Sequence, residues 1–235
     1  QGIPSNPVYL PSPGDVLSAF VHAFTSSAPV GAEHSITQAF AHSIRIIFWG
    51  FVISSVMGVP LGIMCGFIPA VARLVEPSVD FFRYLPAPAF GALAVAILGI
   101  YDAPKIAIIV IGTLFQQILV IANTTRKLDF SLVEASRTLG AKGLRLLFRV
   151  VIPGILPDLY RDQRILLGWA WTYLIVAELI GTSSGITWFI TQQARYQHFD
   201  NVFAAMALIG IVGLGTDMVL GVVGRKLFTW KRENG

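Results

Sequence analysis

Five long apolar stretches decide what this sequence can fold into. They run over residues 38–67, 79–100, 104–123, 159–180 and 202–228, and we letter them spans A to E. A helix needs about 20 mainly apolar residues to cross the hydrocarbon core of a bilayer. Because each stretch reaches that length, the chain is predicted to be an all-α integral membrane protein with about five transmembrane helices. Whether a further span lies upstream of Gln1 is left open.

The positions of the charged residues indicate the membrane topology. Only 13% of the residues are charged, about half of the roughly 25% usual in soluble domains. A net charge of +4 is also compatible with a nucleic-acid partner. In membrane proteins, however, Lys and Arg collect in the cytoplasmic loops, so membrane topology alone can account for the basic residues. Of the 17 basic residues, 14 lie on the side of the C–D loop and the C-terminus. The other three are Arg45, Lys105 and Arg195. No nucleic-acid partner is expected.

This distribution predicts three segments. Residues 1–37 contain no Lys or Arg and are expected to be extracytoplasmic. Residues 38–228 form the predicted transmembrane domain, with a cytoplasmic loop at about 125–157. Residues 229–235 form a cytoplasmic tail.

Small residues recur at every fourth position of span A, at Gly50, Ser54, Gly58, Gly62 and Gly66. This spacing stacks them on one helical face, where another backbone can approach closely. Span E repeats the pattern with Gly213 and Gly221, with Asp217 between them. Close packing within one bundle is the favoured interpretation, and a dimer interface is the alternative. Asp217 is expected to make an interhelical bond.

The C–D loop is predicted to contain a short helix outside the membrane. Ser131 and Glu134 have the spacing of a capping box, and Gly140 suits the residue after the helix end. A helix of about two turns is marginal in water, so a partner is expected to hold it. Downstream, Pro153 and Pro157 are predicted to break the chain before span D.

This loop resembles the EAA loop of ABC-importer permeases. The matching residues are Glu134-Ala135-Ser136, Gly140, Ile152-Pro153 and Pro157, with Ser136 in place of the third-position Ala. Residues 10–13, 58–62 and 177–185 make the chain most similar to the nitrate/sulfonate/taurine/bicarbonate type. The turn Tyr84-Leu85-Pro86-Ala87-Pro88 departs from that pattern, because bulky residues stand where relatives often have another proline.

The resemblance implies a type I importer permease in a bacterial inner membrane. It implies a homodimer of permeases, two cytoplasmic ATPase subunits, and an extracytoplasmic protein that delivers a small anionic solute. The chain itself is expected to be no enzyme and to hold no cofactor, since ATP and magnesium belong to the ATPase. Coupling to that ATPase is assigned to Ser131, Leu132, Val133, Glu134, Ala135, Ser136, Leu139 and Gly140.

Polar and helix-breaking residues within the spans are candidates for the translocation path, because burying them in hydrocarbon is costly without a role. The candidates are Pro86, Pro88, Gln116, Trp169, Tyr173 and Glu178. For the prolines, a kink that serves packing is an equal alternative. For Glu178, the alternatives are snorkelling to the outer interface and a structural hydrogen bond.

Other chemistries find little support in the sequence. A nucleotide-binding P-loop requires a Gly-Lys dipeptide, which the chain does not contain. The four His residues and Cys65 lack metal-ligand spacing. The segment 181–185 fits the Gly-x-Ser-x-Gly nucleophile elbow around Ser183, with His198 and Asp200 downstream, but a turn at the outer mouth is favoured. The main alternative function is an ATP-independent secondary transporter or channel.

Overall fold

The computed structural model describes residues 10–25, 35–180 and 184–230, and every regular element within these ranges is helical. The helices are α1 Pro13–Thr25, α2 Ile36–Phe67, α3 Pro69–Arg83, α4 Gly91–Leu98, α5 Asp102–Arg126, α6 Phe130–Thr138, α7 Gly143–Leu146, α8 Ile152–Ile180, α9 Ile186–Arg195 and α10 Phe199–Leu227. A 3₁₀ turn, Ala87–Phe90, precedes α4, and a π-helical turn, Leu147–Val151, precedes α8. The predicted all-α fold is confirmed.

Three described helices are both long and apolar enough to cross a membrane. They are α2 with 32 residues, α5 with 25 and α10 with 29, and they correspond to spans A, C and E. Span D lies in α8, whose 29 residues give it a length of about 43 Å. Arg161, Asp162 and Arg164 make the first half of α8 more polar than the other three helices.

Span B is a broken helix, as predicted from the two prolines that interrupt it. Helix α3 and the segment Ala87–Leu98 meet at an angle of 86°, and only together do they reach the length and hydropathy of one span. Pro86 and Pro88 supply no backbone N–H, and proline also disfavours the helical conformation in the residue before it. Pro86 itself has an extended backbone, with ψ at 119°. The prolines therefore produce a sharp turn and not a gentle kink.

The small-residue stripe of α2 packs against α5 of the same chain. The facing pairs are Gly50 with Ile109, Gly58 with Gln117, Gly62 with Ile121 and Gly66 with Thr125. A Cβ on Gly62 would lie 2.8 Å from the Cβ of Ile121 and 2.9 Å from the carbonyl oxygen of Ile118. Real Cβ atoms do not approach other atoms so closely, and the backbones therefore meet only because these positions are glycine. The favoured interpretation, packing within one bundle, is confirmed for α2.

The two prolines before span D do not break the chain. Helix α8 begins at Ile152 and continues without interruption through Pro157. The helical backbone enters α8 directly from the π-helical turn, since the Ile152 N–H donates to the Leu147 carbonyl, and Pro153 follows within it. The prediction of a break is therefore wrong, and α8 connects the C–D loop directly to the bundle.

The largest buried cluster lies where α8 packs beside the α2–α5 pair. Ile46, Ile108 and Leu174 have no exposed surface, and Ile186 of α9 and Ala205 of α10 complete the same cluster. Close-packed interiors transmit displacement instead of absorbing it. Motion of α8 is therefore passed to the neighbouring helices.

Candidate coupling helix and translocation path

Helix α6, the predicted coupling helix, is capped by Asp129. The Asp129 carboxylate accepts a hydrogen bond of 2.9 Å from the Ser131 N–H, and this bond lowers the pKa of the carboxyl from its ordinary value. The predicted capping box of Ser131 and Glu134 is wrong, because the helix already begins at Phe130. Ser131 lies inside the first turn, where its backbone is helical and its side chain cannot act as the N-cap.

Gly140 ends α6, as predicted. Its φ of +86° lies in the left-handed region that favours glycine. The Gly140 N–H donates to the Arg137 carbonyl at 2.9 Å, and the Ala141 N–H donates to the Ser136 carbonyl at 2.9 Å. These two bonds form the Schellman motif that satisfies the last carbonyls of a helix. A short helix that would be marginal alone is thus fixed at both ends.

Helix α6 exposes most of its surface and contacts its own chain on one side. None of its residues is buried, and Leu139 just beyond it is 89% exposed. Leu132, a predicted coupling residue, is also exposed, and so is Phe130, which was not selected from the sequence. Val133 differs, because it packs against the cluster that includes Leu146 and Val151. The helix is thus anchored toward α8 by Val133 and presents its other side outward.

Replacement of Asp129 with Ala is expected to loosen the first turn of α6, measured as faster hydrogen exchange at the amides of Ser131 and Leu132. The ionised carboxylate accepts the bond, so the stabilisation is present above the ordinary Asp pKa of about 3.9. It is lost as the pH falls through the lowered pKa of the folded helix. Glu134→Ala is the matched control, because Glu134 makes no hydrogen bond with any described residue. Equal protection in both variants would contradict Asp129 as the cap.

The path candidates do not gather at one place. Pro86 and Pro88 are exposed at the break in span B, and Trp169 of α8 is 44% exposed. The Tyr173 ring packs on Gly112 of α5, where a Cβ would lie 2.7 Å from the ring. Gln116 lies one turn after Gly112 and therefore on the same side of α5. These two residues lie at the α5–α8 contact, and their role in the path stays a prediction.

A buried amide cluster involves the neighbour of the predicted glutamine. Gln117 is fully buried and donates to the Ser55 hydroxyl at 3.0 Å and to Gln163 Oε1 at 3.2 Å. Gln117 Oε1 and Gln163 Nε2 have no hydrogen-bond partner among the residues that the structure describes. Gln117 lies four residues from Ile121 and eight from Ile109, on the stripe that faces the α2 glycines, and only this packing distinguishes it from Gln116.

Glu178 is the centre of a second buried network. It is 0% exposed, so snorkelling is wrong and the structural hydrogen bond is confirmed. The Ser43 hydroxyl of α2 and the Thr187 N–H at 2.8 Å both donate to its carboxylate. Ser43 also accepts the Ile186 N–H at 2.8 Å. The network joins α2, the end of α8 and the start of α9, and a role of Glu178 in the path stays a prediction.

Lys105 lies in the same region. From the sequence it was expected only to indicate topology, as a basic residue on the outer side. It is fully buried in α5 and donates to the hydroxyl of Ser184 at 2.8 Å and to its carbonyl at 3.1 Å. A buried ammonium group needs hydrogen-bond acceptors, and the two Ser184 oxygens supply them.

Asp217 makes the interhelical bond predicted for it. Its two oxygens accept bonds of 3.1 and 2.8 Å from Nε and Nη2 of Arg164 in α8. Gly221 allows this arrangement, because a Cβ there would lie 3.0 Å from Nη2 of Arg164. Gly213, by contrast, has no atom within 4 Å of its Cβ position. On α10, packing within the bundle is therefore confirmed for Gly221 but not for Gly213.

No group of three metal-binding side chains converges in the ranges the structure describes. His34 and Ser183, the serine of the Gly-x-Ser-x-Gly match, lie outside those ranges.

The helical arrangement is that of an ABC-importer permease. It superposes on a permease chain in inward-facing structures of the MetNI methionine ABC transporter with a TM-score of 0.67. That match has 20% sequence identity and covers 82% of this chain and 94% of the other. At this identity the likeness shows the fold.

The sequence then identifies the family. Residues 58–228 match the binding-protein-dependent transport system inner membrane component, and the chain belongs to that family of multi-pass membrane permeases. It is 34% identical to a probable ABC transporter permease of Brucella abortus (strain 2308), over 96% of this chain and 88% of that protein. It is 28% identical to the taurine transport system permease TauC of Escherichia coli (strain K12), over 97% and 82%. The chain is therefore a permease subunit of an ABC importer.

Proposed function

We propose that two copies of this chain form the translocation path for a small anionic solute. The substrate class is supported by relatives named for sulfur- and carbon-containing anions. Besides TauC, they are a putative aliphatic sulfonates permease of Bacillus subtilis (strain 168), 31% identical over 78% of this chain, and a bicarbonate permease of Synechococcus elongatus, 25% identical over 74%. The indole of Trp169, the phenol of Tyr173 and the amide of Gln116 supply hydrogen-bond donors suited to an anion.

The complex includes two cytoplasmic ATPase subunits, which bind ATP and magnesium, and an extracytoplasmic solute-binding protein. The protein lies in a bacterial inner membrane with α6 and the C-terminus in the cytoplasm. The excess of Lys and Arg on that side supports this orientation.

Helix α6 is the observation that carries the coupling mechanism. It is fixed by Asp129 and Gly140 and exposes Phe130, Leu132 and Leu139 for a partner. When the ATPases close, α6 moves as a rigid element, and Val133 passes the displacement to the cluster around Leu146. That cluster is joined to α8, so the spans rock as packed bodies between outward- and inward-open states.

Gly140→Val is the variant that tests coupling. A β-branched residue is strained at a φ of +86°, whereas the space around the Cβ position is empty, so the effect is on backbone conformation alone. The variant is expected to reach the membrane and to lower ATP-driven uptake at least about tenfold, while the ATPase activity of the complex persists. Uptake is measured in proteoliposomes that contain the whole complex.

Gly140→Asn is the matched control, because Asn tolerates the left-handed conformation far better than Val. It is expected to retain most of the uptake. Normal uptake by Gly140→Val would contradict coupling through α6. Uptake that continues without ATP but stops when an ion gradient is collapsed would contradict the ATP-driven mechanism itself.

A further inference from the structure

A cleft of about 430 Å³ lies between the first part of α8 and the last part of α10. Its lining includes Tyr160, Arg161, Arg164, Gly221, Arg225 and Phe228. Glycine opens it on the α10 side, because a Cβ at Gly224 would lie 2.7 Å from the Tyr160 ring. Neither the coupling helix nor the candidate path residues take part in this cleft.

The cleft has an excess of positive charge. Arg164 is held by Asp217, and Arg161, which is 58% exposed, pairs with Asp158 at 3.1 Å. Arg225 makes no ion pair with any residue in the described part of the chain. Arginine donates to phosphate oxygens in pairs, and the half-satisfied guanidinium groups of Arg161 and Arg164 retain free N–H donors. The cleft is thus suited to an anion.

Apolar side chains continue from the cleft along both helices. On α10, the exposed Leu214 and Met218 precede Arg225 by eleven and seven residues, a spacing that places all three on one face. On α8, the exposed Ile165 follows Arg161 by one turn. A ligand with a charged end and long apolar chains would contact all of these residues, whereas a soluble anion would contact only the arginines.

Aromatic residues mark the depth of the cleft in the bilayer. The Phe228 ring lies 5.5 Å from Tyr160 and 5.4 Å from the exposed Trp230, measured between ring centroids. Aromatic residues collect at the level of the lipid head groups. The arginines therefore lie where the head-group phosphates of the adjoining leaflet lie.

From this arrangement we infer that the α8–α10 cleft binds the phosphate head group of an anionic phospholipid, with its acyl chains along Ile165, Met218 and Leu214. Basic clefts between membrane helices bind such head groups because opposite charges attract in a partly dehydrated site. The inference concerns the lipid around the importer and does not depend on the identity of the transported solute.

The double variant Arg161→Gln/Arg225→Gln tests this site. The importer complex is purified in mild detergent, stripped of lipid and titrated with phosphatidylglycerol, and bound lipid is counted by native mass spectrometry. Each lost arginine is expected to weaken binding about fivefold, and the pair about 25-fold. Arg164 is left in place because it pairs with Asp217.

Arg145→Gln/Arg149→Gln is the matched control, with the same charge change at two exposed residues outside the cleft. It is expected to bind phosphatidylglycerol within about twofold of the wild type. Phosphatidylcholine should bind weakly to every form, and inorganic phosphate should not displace phosphatidylglycerol. Equal phosphatidylglycerol binding by both double variants would overturn the site. Displacement by equimolar inorganic phosphate would show a soluble anion in place of the lipid and would also overturn it.

Discussion

Glu178→Ala is expected to destabilise the fold by about 3–5 kcal/mol, because it leaves two buried donors unsatisfied at about 1–3 kcal/mol each and creates a cavity. The Ser43 hydroxyl and the Thr187 N–H lose their common acceptor, and neither can reach water. Lys105 stays buried beside the changed site and keeps only its two bonds to Ser184. The loss is measured as a fall in the midpoint and free energy of unfolding in detergent.

A rescue variant separates this network from a general sensitivity of the bundle. Glu178→Gln keeps an acceptor oxygen, and Lys105→Met removes the cation, so the double variant is expected to recover part of the lost stability. Glu134→Ala, a change at an exposed acid, is expected to alter stability by less than about 0.5 kcal/mol. If Glu178→Ala were no worse than Glu134→Ala, the buried network would not stabilise the fold.

Gly62→Leu is expected to destabilise the bundle by about 3 kcal/mol, the upper end of the usual effect of overpacking. The new Cβ would clash with the Ile121 side chain and with the Ile118 carbonyl oxygen. A carbonyl in the middle of α5 cannot turn away, so the helices must separate and lose contacts along the stripe. The expected readout is a lower unfolding temperature and a lower yield of folded protein.

Gly213→Leu is the corresponding change on α10. Its Cβ position is open, and replacement of a helical glycine where there is space stabilises a helix by roughly 0.5–1 kcal/mol. The control should therefore unfold at or slightly above the wild-type temperature. If both variants lost stability equally, the α2 stripe would have no special role in packing.

The features that could be predicted from the sequence are those for which the spacing of residues along a helix is enough to require a particular contact. Gly62 and its neighbours required a close helix, and Asp217 on a helix in hydrocarbon required a partner, which is Arg164. Gly140 likewise stands where only a left-handed residue ends α6. The requirement at Gly140 concerns only the local backbone. The requirements at Gly62 and Asp217 hold whichever helix packs against them.

Features that depend on helical phase or on tertiary contact could not be predicted. Gln116 and Gln117 are equivalent in the sequence, and only the packing of α5 on α2 buries Gln117. Asp129 and Ser131 are both good N-caps, and the choice depends on where the chain leaves α5. Lys105 was counted only as a basic residue on the outer side, because a topology rule does not detect the Ser184 contact, which is 79 residues away.

The most direct test of an ATP-driven permease is to identify what accompanies the chain from its native membrane. Affinity purification in mild detergent, followed by mass spectrometry, is expected to recover a P-loop ATPase with the permease, in equal copy number. Removal of Phe130, Leu132 and Leu139 side chains by Ala substitution should release that ATPase, since these are the exposed apolar residues of the α6 region. A chain that emerges alone, or only with further copies of itself, would contradict the account.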